Sequence, residues 1–376
     1  MTLKSILLTT GILATGYLMM GIDGCGGSKE MTSAKLYIQQ KQLDKALSSV
    51  NAEIAKNPTN AEAYYYKGII LYDMKETVKM AAAFREGLKV GFKPEQKKDA
   101  EARIQNGWAN EINNGTKLVQ TAEENPENYL KAIEKFKIAA EIQPDSALTY
   151  QYIAIAQFNA KLYNEVPASV QTYIGKKHED EAILNLAVQA YKNLSDYNSA
   201  IAFLEKYKSS KYVTQNYLYE TIAQTYIDAG RADDALKAFM DASDANPSNE
   251  VMKYNVGVLL LNKDSYEESV KYFEGALAIR PDYKEASYNL GVAYLRLGKK
   301  RQDAIEEAYS KEKDRKKKEK IAQDKSHLDY FKKALPYLEA VKDSRTDDVV
   351  FWTVLGQVYT ALGMNDKAKE AFDRFK

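Results

Sequence analysis

Small and aromatic residues recur along this chain at the intervals of paired helices, and between Asn216 and Asn249 the pattern is complete. Tyr219, Ala223 and Tyr226 fall on one face of a first helix, and Gly230 ends it. Ala235, Phe239 and Ala242 follow at i, i+4 and i+7 on a second helix, which Pro247 stops. Small side chains at 223, 235 and 242 let the two helices approach, while Tyr219, Tyr226 and Phe239 fill the space between them.

The same marks appear on either side. A first unit carries Ala34, Tyr37, Ala46, Val50 and Pro58, and a second Tyr64, Gly68, Leu71, Met80, Phe84 and Gly87. In the third, Trp108 opens the first helix. Ala132, Phe136, Ala139 and Pro144 then come late, so residues near Thr121 to Asn128 read as a longer loop. The fourth keeps Tyr150 and Ala154, with Pro167 early in its second helix, where proline is tolerated. The fifth has Leu184, Tyr191, Ala200, Leu204 and Tyr207, and the seventh Gly257, Leu260, Ser269, Phe273, Ala276 and Pro281. The eighth begins at Leu290, Gly291, Tyr294 and Gly298 but resumes only at Ala334 and Leu338. The ninth is clean from Trp352, Leu355, Gly356 and Tyr359 to Gly363, Ala368 and Phe372.

This period and pattern resemble the tetratricopeptide repeat, whose consensus runs Trp or Tyr, Leu-Gly, Tyr, Gly, Ala, Phe, Ala, Pro. In the 216–249 stretch Ile222-Ala223 stands in place of Leu-Gly. The resemblance implies an all-α, right-handed superhelical solenoid of about nine helix-turn-helix repeats over residues 25–376. One hairpin cannot bury its own apolar face, so the units must stack. The resemblance further implies that first helices line a concave groove for partner peptides or helices. Its groove positions fall on Tyr217 and Glu220, Val251 and Tyr254, Glu285 and Tyr288. Asn255 and Asn289 occupy a position where an asparagine bonds a bound peptide backbone in related arrays, or spans neighbouring hairpins structurally. Glu220, Gln224 and Glu285 stand where a chaperone-tail carboxylate clamp would want Lys or Asn, which argues against that clamp.

The N-terminus reads differently. Lys4 precedes an apolar run from Ile6 to Met20, too short to span a ~30 Å hydrocarbon core comfortably, so residues 1–24 read as an export signal. The single cysteine, Cys25, follows Ile22, Asp23 and Gly24, and this resembles a bacterial lipobox in which Cys25 is lipidated; Asp23 departs from the small uncharged residue usual there. An ordinary secretory signal with a chance cysteine is the alternative reading. Gly26 lacks the Asp of an inner-membrane retention signal, which leans the expectation toward the outer membrane. One cysteine permits no intrachain disulfide.

Candidate chemistry is sparse. His178 and His327 show no ligand spacing and read as exposed polar residues near loops. There is no Gly-rich phosphate loop and no Gly-x-Ser-x-Gly frame, so no catalytic, cofactor or metal site is expected. Lys plus Arg is 53 against 52 Asp plus Glu, a balance that gives no reason to expect nucleic acid. The stretch 299–325 carries eleven Lys or Arg and seven Asp or Glu, a local excess of four positive charges. Pairs at i, i+4 (Glu307–Lys311, Glu312–Lys316, Asp314–Lys318) support a solvated helical extension of the repeat's helices, with Lys316, Lys317 and Lys318 as a candidate electrostatic arm for anionic lipid or an acidic partner. The expectation is a non-enzymatic protein-binding scaffold or assembly factor, lipid-anchored at a bacterial envelope membrane and facing the periplasm. A carbohydrate- or peptidoglycan-binding module and a soluble periplasmic or secreted adaptor are the alternatives.

Overall fold

The computed structural model describes residues 28–177 and 179–374. The export signal, Cys25 and His178 lie outside the described residues. The described chain is all-α, without a strand, and divides into two compact units, Met1–Asp196 and Tyr197–Lys376.

The first unit holds α1 (Lys29–Gln39), α2 (Leu43–Lys56), α3 (Ala61–Asp73), α4 (Thr77–Val90), α5 (Pro94–Gln120), α6 (Glu127–Ile142), α7 (Ala147–Asn159), α8 (Val166–Lys176) and α9 (Glu181–Asn193). The small residues do what their spacing implies. An added Cβ on Gly68 would stand 2.2 Å from the Phe84 ring, and one on Gly115 2.4 Å from Phe136, so glycine on the first helix seats a phenylalanine of the second. At the turns, one residue per regular hairpin takes a left-handed conformation. It is lysine at 41, 75 and 161 (φ 56°, 63° and 61°), serine at 195 and aspartate at 264 (φ 57° and 58°), and glycine at 230 and 363. Left-handed backbone costs a non-glycine residue roughly 1–2 kcal/mol. After Lys75 the chain is held by Glu76 N–H donating to the Leu71 carbonyl at 2.9 Å.

Trp108 does not open its helix. α5 begins at Pro94, fourteen residues earlier by subtraction, and Trp108 lies buried mid-helix. The extra length of the third unit is thus partly helix; the loop after Gln120 is shorter than expected, since α6 starts at Glu127. Trp108 Nε1 donates to Thr149 Oγ1 at 2.7 Å, both residues being buried. Thr149→Val would leave that indole N–H unpaired in the core, and the first unit should lose about 1–3 kcal/mol by denaturant titration. A loss near zero would mean that water reaches the indole.

The second unit holds α10 (Tyr197–Glu205), α11 (Gln215–Asp228), α12 (Ala232–Ala245), α13 (Glu250–Asn262), α14 (Tyr266–Ile279), α15 (Lys284–Lys311), α16 (Arg315–Ala322), α17 (His327–Glu339), α18 (Val349–Ala361) and α19 (Asn365–Asp373). The opening stretch forms α11 and α12 as read, with Ala223, Ala235 and Ala242 buried and Phe239 nearly so. Gly298 sits inside α15 against Phe331 of α17, and α15 continues through Lys311, a helical extension as read. The insertion is that continuation plus the separate helix α16, which has no buried residue.

Of its three charge pairs, Lys311 bonds Glu307, and the other two do not form as intrahelical pairs. Glu312 lies beyond the helix end and accepts from Lys313 N and Asp314 N, while Asp314 caps α16 by accepting from Lys317 N. The turn outcompetes the side-chain pairs because it satisfies backbone donors that have no intrahelical acceptor. Arg301 closes the base of the excursion, donating to Asp324 Oδ2 and Ser326 Oγ, each at 2.7 Å. His327 is not a loop residue: it opens α17, half-buried, with its ring edge-on to Phe331.

Candidate functional site

The first helices of consecutive hairpins in the second unit carry most of the expected groove residues. Tyr254 of α13 packs its ring against Phe273 and Tyr283, with centroids 6.0 and 5.0 Å away. Its hydroxyl accepts from Asn289 Nδ2 at 3.1 Å, a bond from α15 back to α13. Burial, and then the Glu285 carboxylate, push the Tyr254 hydroxyl pKa up, so it stays a neutral hydrogen-bonding group.

Tyr288, one residue before Asn289, packs 5.9 Å from Phe351, with the Arg345 guanidinium 4.2 Å over its ring. Arg345 is held there by donating to Asp348 Oδ2 at 2.9 Å. Asp348 caps α18 by accepting from Phe351 N at 2.9 Å, and that bond, with Arg345, keeps its carboxyl below the ordinary range. Between the start of α15 and the turn before α18 lies a cleft of about 550 Å³ lined by Lys284, Glu285, Ser344, Arg345, Thr346 and Asp347. With Asp348 completing the lining, two cations and three carboxylates share its rim, so it offers both donors and acceptors.

The structure therefore brings Tyr254, Tyr288 and Asn289 together beside this cleft. It gives the two asparagines different roles. Asn289 is engaged between hairpins, the structural alternative, whereas the half-buried Asn255 has no side-chain hydrogen bond among the described residues. Tyr217 and Glu220 lie earlier, on α11, both half-buried. The Tyr217 N–H donates to the capping Thr214 Oγ1, and burial pushes the Glu220 carboxyl up. Lys316, Lys317 and Lys318 lie on α16, away from this face, with Lys318 Nζ 4.5 Å over the Tyr309 ring.

Sequence reasoning missed Arg345 and Tyr283, which lie outside the first-helix groove positions. The available signal was Asp348, an N-cap residue one turn from Arg345. Among the described residues no cluster of three or more His, Cys, Asp or Glu could hold a metal ion, and no helix is long and apolar enough to cross a membrane.

Two family descriptions of the tetratricopeptide repeat match the chain, one over residues 31–96, 221–284 and 257–318, the other over 180–211 and 349–375. The chain is a tetratricopeptide repeat protein. Tetratricopeptide repeat proteins generally bind other proteins or peptides, and such scaffolds are typically non-enzymatic.

Superkiller complex protein 3 of Mus musculus is 26% identical over 144 residues, covering 38% of this chain and 8% of that protein. The peroxisomal targeting signal receptor of Kluyveromyces lactis is 32% identical over 63 residues, 17% of this chain and 11% of the receptor. This tetratricopeptide chain thus spans a small part of either relative's length. The crystal structure of MamA is 18% identical, with a TM-score of 0.36, covering 50% of this chain and 91% of that one.

Proposed function

We propose that this tetratricopeptide protein is a non-enzymatic scaffold that holds peptide segments of other proteins against Tyr254, Asn255 and Tyr288, tethered to a bacterial envelope membrane through a lipidated Cys25. The observation that carries the binding half is the state of Asn255. Its amide stands on a first-helix face, half-buried and without a side-chain partner, next in sequence to the aromatic cluster that Tyr254 joins. An amide so placed offers a donor and an acceptor to an extended backbone. The tether rests on sequence: a basic start, a short apolar core and a cysteine at its end. Tethering would also raise the effective concentration of a membrane-borne partner.

Intact mass and membrane fractionation of the native protein beside Cys25→Ala test the tether. The expected result is a lipid-sized mass gain and membrane retention, both lost in Cys25→Ala; an unmodified, soluble native chain would remove the anchor. Cross-linked pull-down beside Asn255→Ala tests the groove. A recurring envelope partner should be recovered, with its affinity about fivefold lower for the variant, the cost of one hydrogen bond. Recovery of polysaccharide without a protein partner would favour the carbohydrate alternative.

A further inference from the structure

The charged excursion concentrates positive charge as no other part of the chain does. Residues 311–325 hold eight Lys or Arg and four Asp or Glu, an excess of four, while the whole chain has a net charge of +1. Elsewhere, carboxylates therefore outnumber cations.

The four carboxylates of this segment are turned to donors of the segment itself and of its base. Glu312 accepts from Lys313 N and Asp314 N, and Asp314 from Lys317 N. Glu319 accepts from Arg315 Nε at 3.1 Å, and Asp324 from Arg301 and Ser326 N.

The lysines of α16 divide by side. Lys318 is half-buried with its Nζ over Tyr309 of α15, and Ile321, one turn on, is half-buried too, so this side looks toward α15. Lys316, Lys317 and Lys320 are exposed and fall within about 100° of the helix circumference. Glu319, the one acidic residue of the helix, lies off that sector beside Arg315. Of the three lysines expected to form an arm, Lys318 is thus turned inward, and Lys320 takes its place. α16 buries no residue, so the outward lysines serve no core.

We infer that Lys316, Lys317 and Lys320 form an electrostatic docking face for the surface of an anionic lipid bilayer. Two features select a bilayer over an acidic protein. Protein interfaces bury an apolar centre and are poor in lysine, and this outward face offers no apolar side chain to bury. A headgroup surface asks only for positive charge held within a Debye length of it. The residue type agrees: the lysine ammonium is a point charge on a flexible stem, suited to laterally mobile headgroups, whereas the arginine fork suits a fixed planar carboxylate. The clamp of Arg301 on Asp324 and Ser326 fixes the base of the excursion that presents this face.

The test is cosedimentation of the full-length Cys25→Ala protein, which can carry no lipid at that position, with phosphatidylcholine vesicles made with and without phosphatidylglycerol. Vesicles containing phosphatidylglycerol should retain more protein. Lys316→Gln/Lys317→Gln/Lys320→Gln should lower that partitioning about a hundredfold, about fivefold for each lysine. Lys117→Gln/Lys131→Gln/Lys137→Gln removes the same charge from exposed positions of the first unit and should leave it nearly unchanged. Salt at about 1 M, where the Debye length is about 3 Å, should release the protein. The inference is overturned if neutral vesicles bind as well, if the α16 variant binds like its parent, or if both triple variants lose binding alike. Poly-glutamate bound through these lysines, with vesicles ignored, would overturn it in favour of an acidic protein. Failure on any arm leaves the tether and the groove to their own readouts, the Cys25-dependent mass gain and the Asn255-sensitive pull-down.

Discussion

Phe136→Ala should destabilise the first unit by about 3–5 kcal/mol, among the largest effects expected of a single side chain in this molecule. Phe136 is fully buried on α6, stacks on Tyr152 of α7 at 5.3 Å, and fills the recess over Gly115 of α5. Three helices therefore meet on one ring. Gly115 has no side chain with which to refill the space, so the cavity persists after truncation. Relaxation is further limited because the Tyr152 hydroxyl is already buried without a partner.

Repeat arrays open locally rather than as a whole, so amide hydrogen exchange is the suitable measurement. Protection should fall in α5, α6 and α7 while α1 and α2 change little. Gly115→Ala alone should cost about 1–3 kcal/mol by overpacking, and combined with Phe136→Ala it should cost less than the sum, because the new methyl occupies the cavity. A loss below about 1 kcal/mol for Phe136→Ala would show that the helices close over the gap.

The second unit should lose stability steeply above pH 10. Tyr294 and Tyr359 are buried and donate to Glu274 Oε1 at 2.6 Å and Glu339 Oε1 at 3.0 Å, in each case twenty residues earlier. Burial first, then the bond to a carboxylate, raise both hydroxyl pKa values far above the ordinary tyrosine value. A group with a raised folded pKa contributes its full stabilisation below the unfolded pKa, near 10, and loses it as pH climbs from there toward the folded value. Each tyrosine should therefore remove up to about 1.4 kcal/mol per pH unit over that window. Denaturant midpoints at neutral and alkaline pH, with tyrosinate absorbance read alongside, check this. Tyr294→Phe should be about 1 kcal/mol less stable at neutral pH yet show a shallower alkaline decline. An unchanged slope would place the titration elsewhere.

The hairpins were legible in the sequence because their determinants are local. Glycine or alanine facing phenylalanine a fixed interval later is a packing requirement written in two letters. Helix length was harder to read. The first half of α5 is mostly hydrophilic, and its apolar stripe is a thin file of Ala100, Ile104, Trp108 and Ile112 at i, i+4, i+8 and i+12. Turn residues were half hidden, since lysine adopts at 41, 75 and 161 the left-handed backbone that glycine would announce.

The groove shows the same division. The resemblance to the repeat family placed Tyr254, Tyr288 and Asn289 on first-helix faces. Whether an amide there is engaged depends on a hydroxyl thirty-five residues away, as with Asn289 and Tyr254, and no period encodes that. Arg345 reaches Tyr288 from outside the pattern altogether.

The clamp of Arg301 on Asp324 and Ser326 sets the charged excursion apart from the hairpin that bears it. A segment whose two ends are fastened together is a detachable appendix: sequence can be removed or exchanged between them without altering how α15 pairs with α17. A foreign sequence spliced between those ends would inherit a ready-made base.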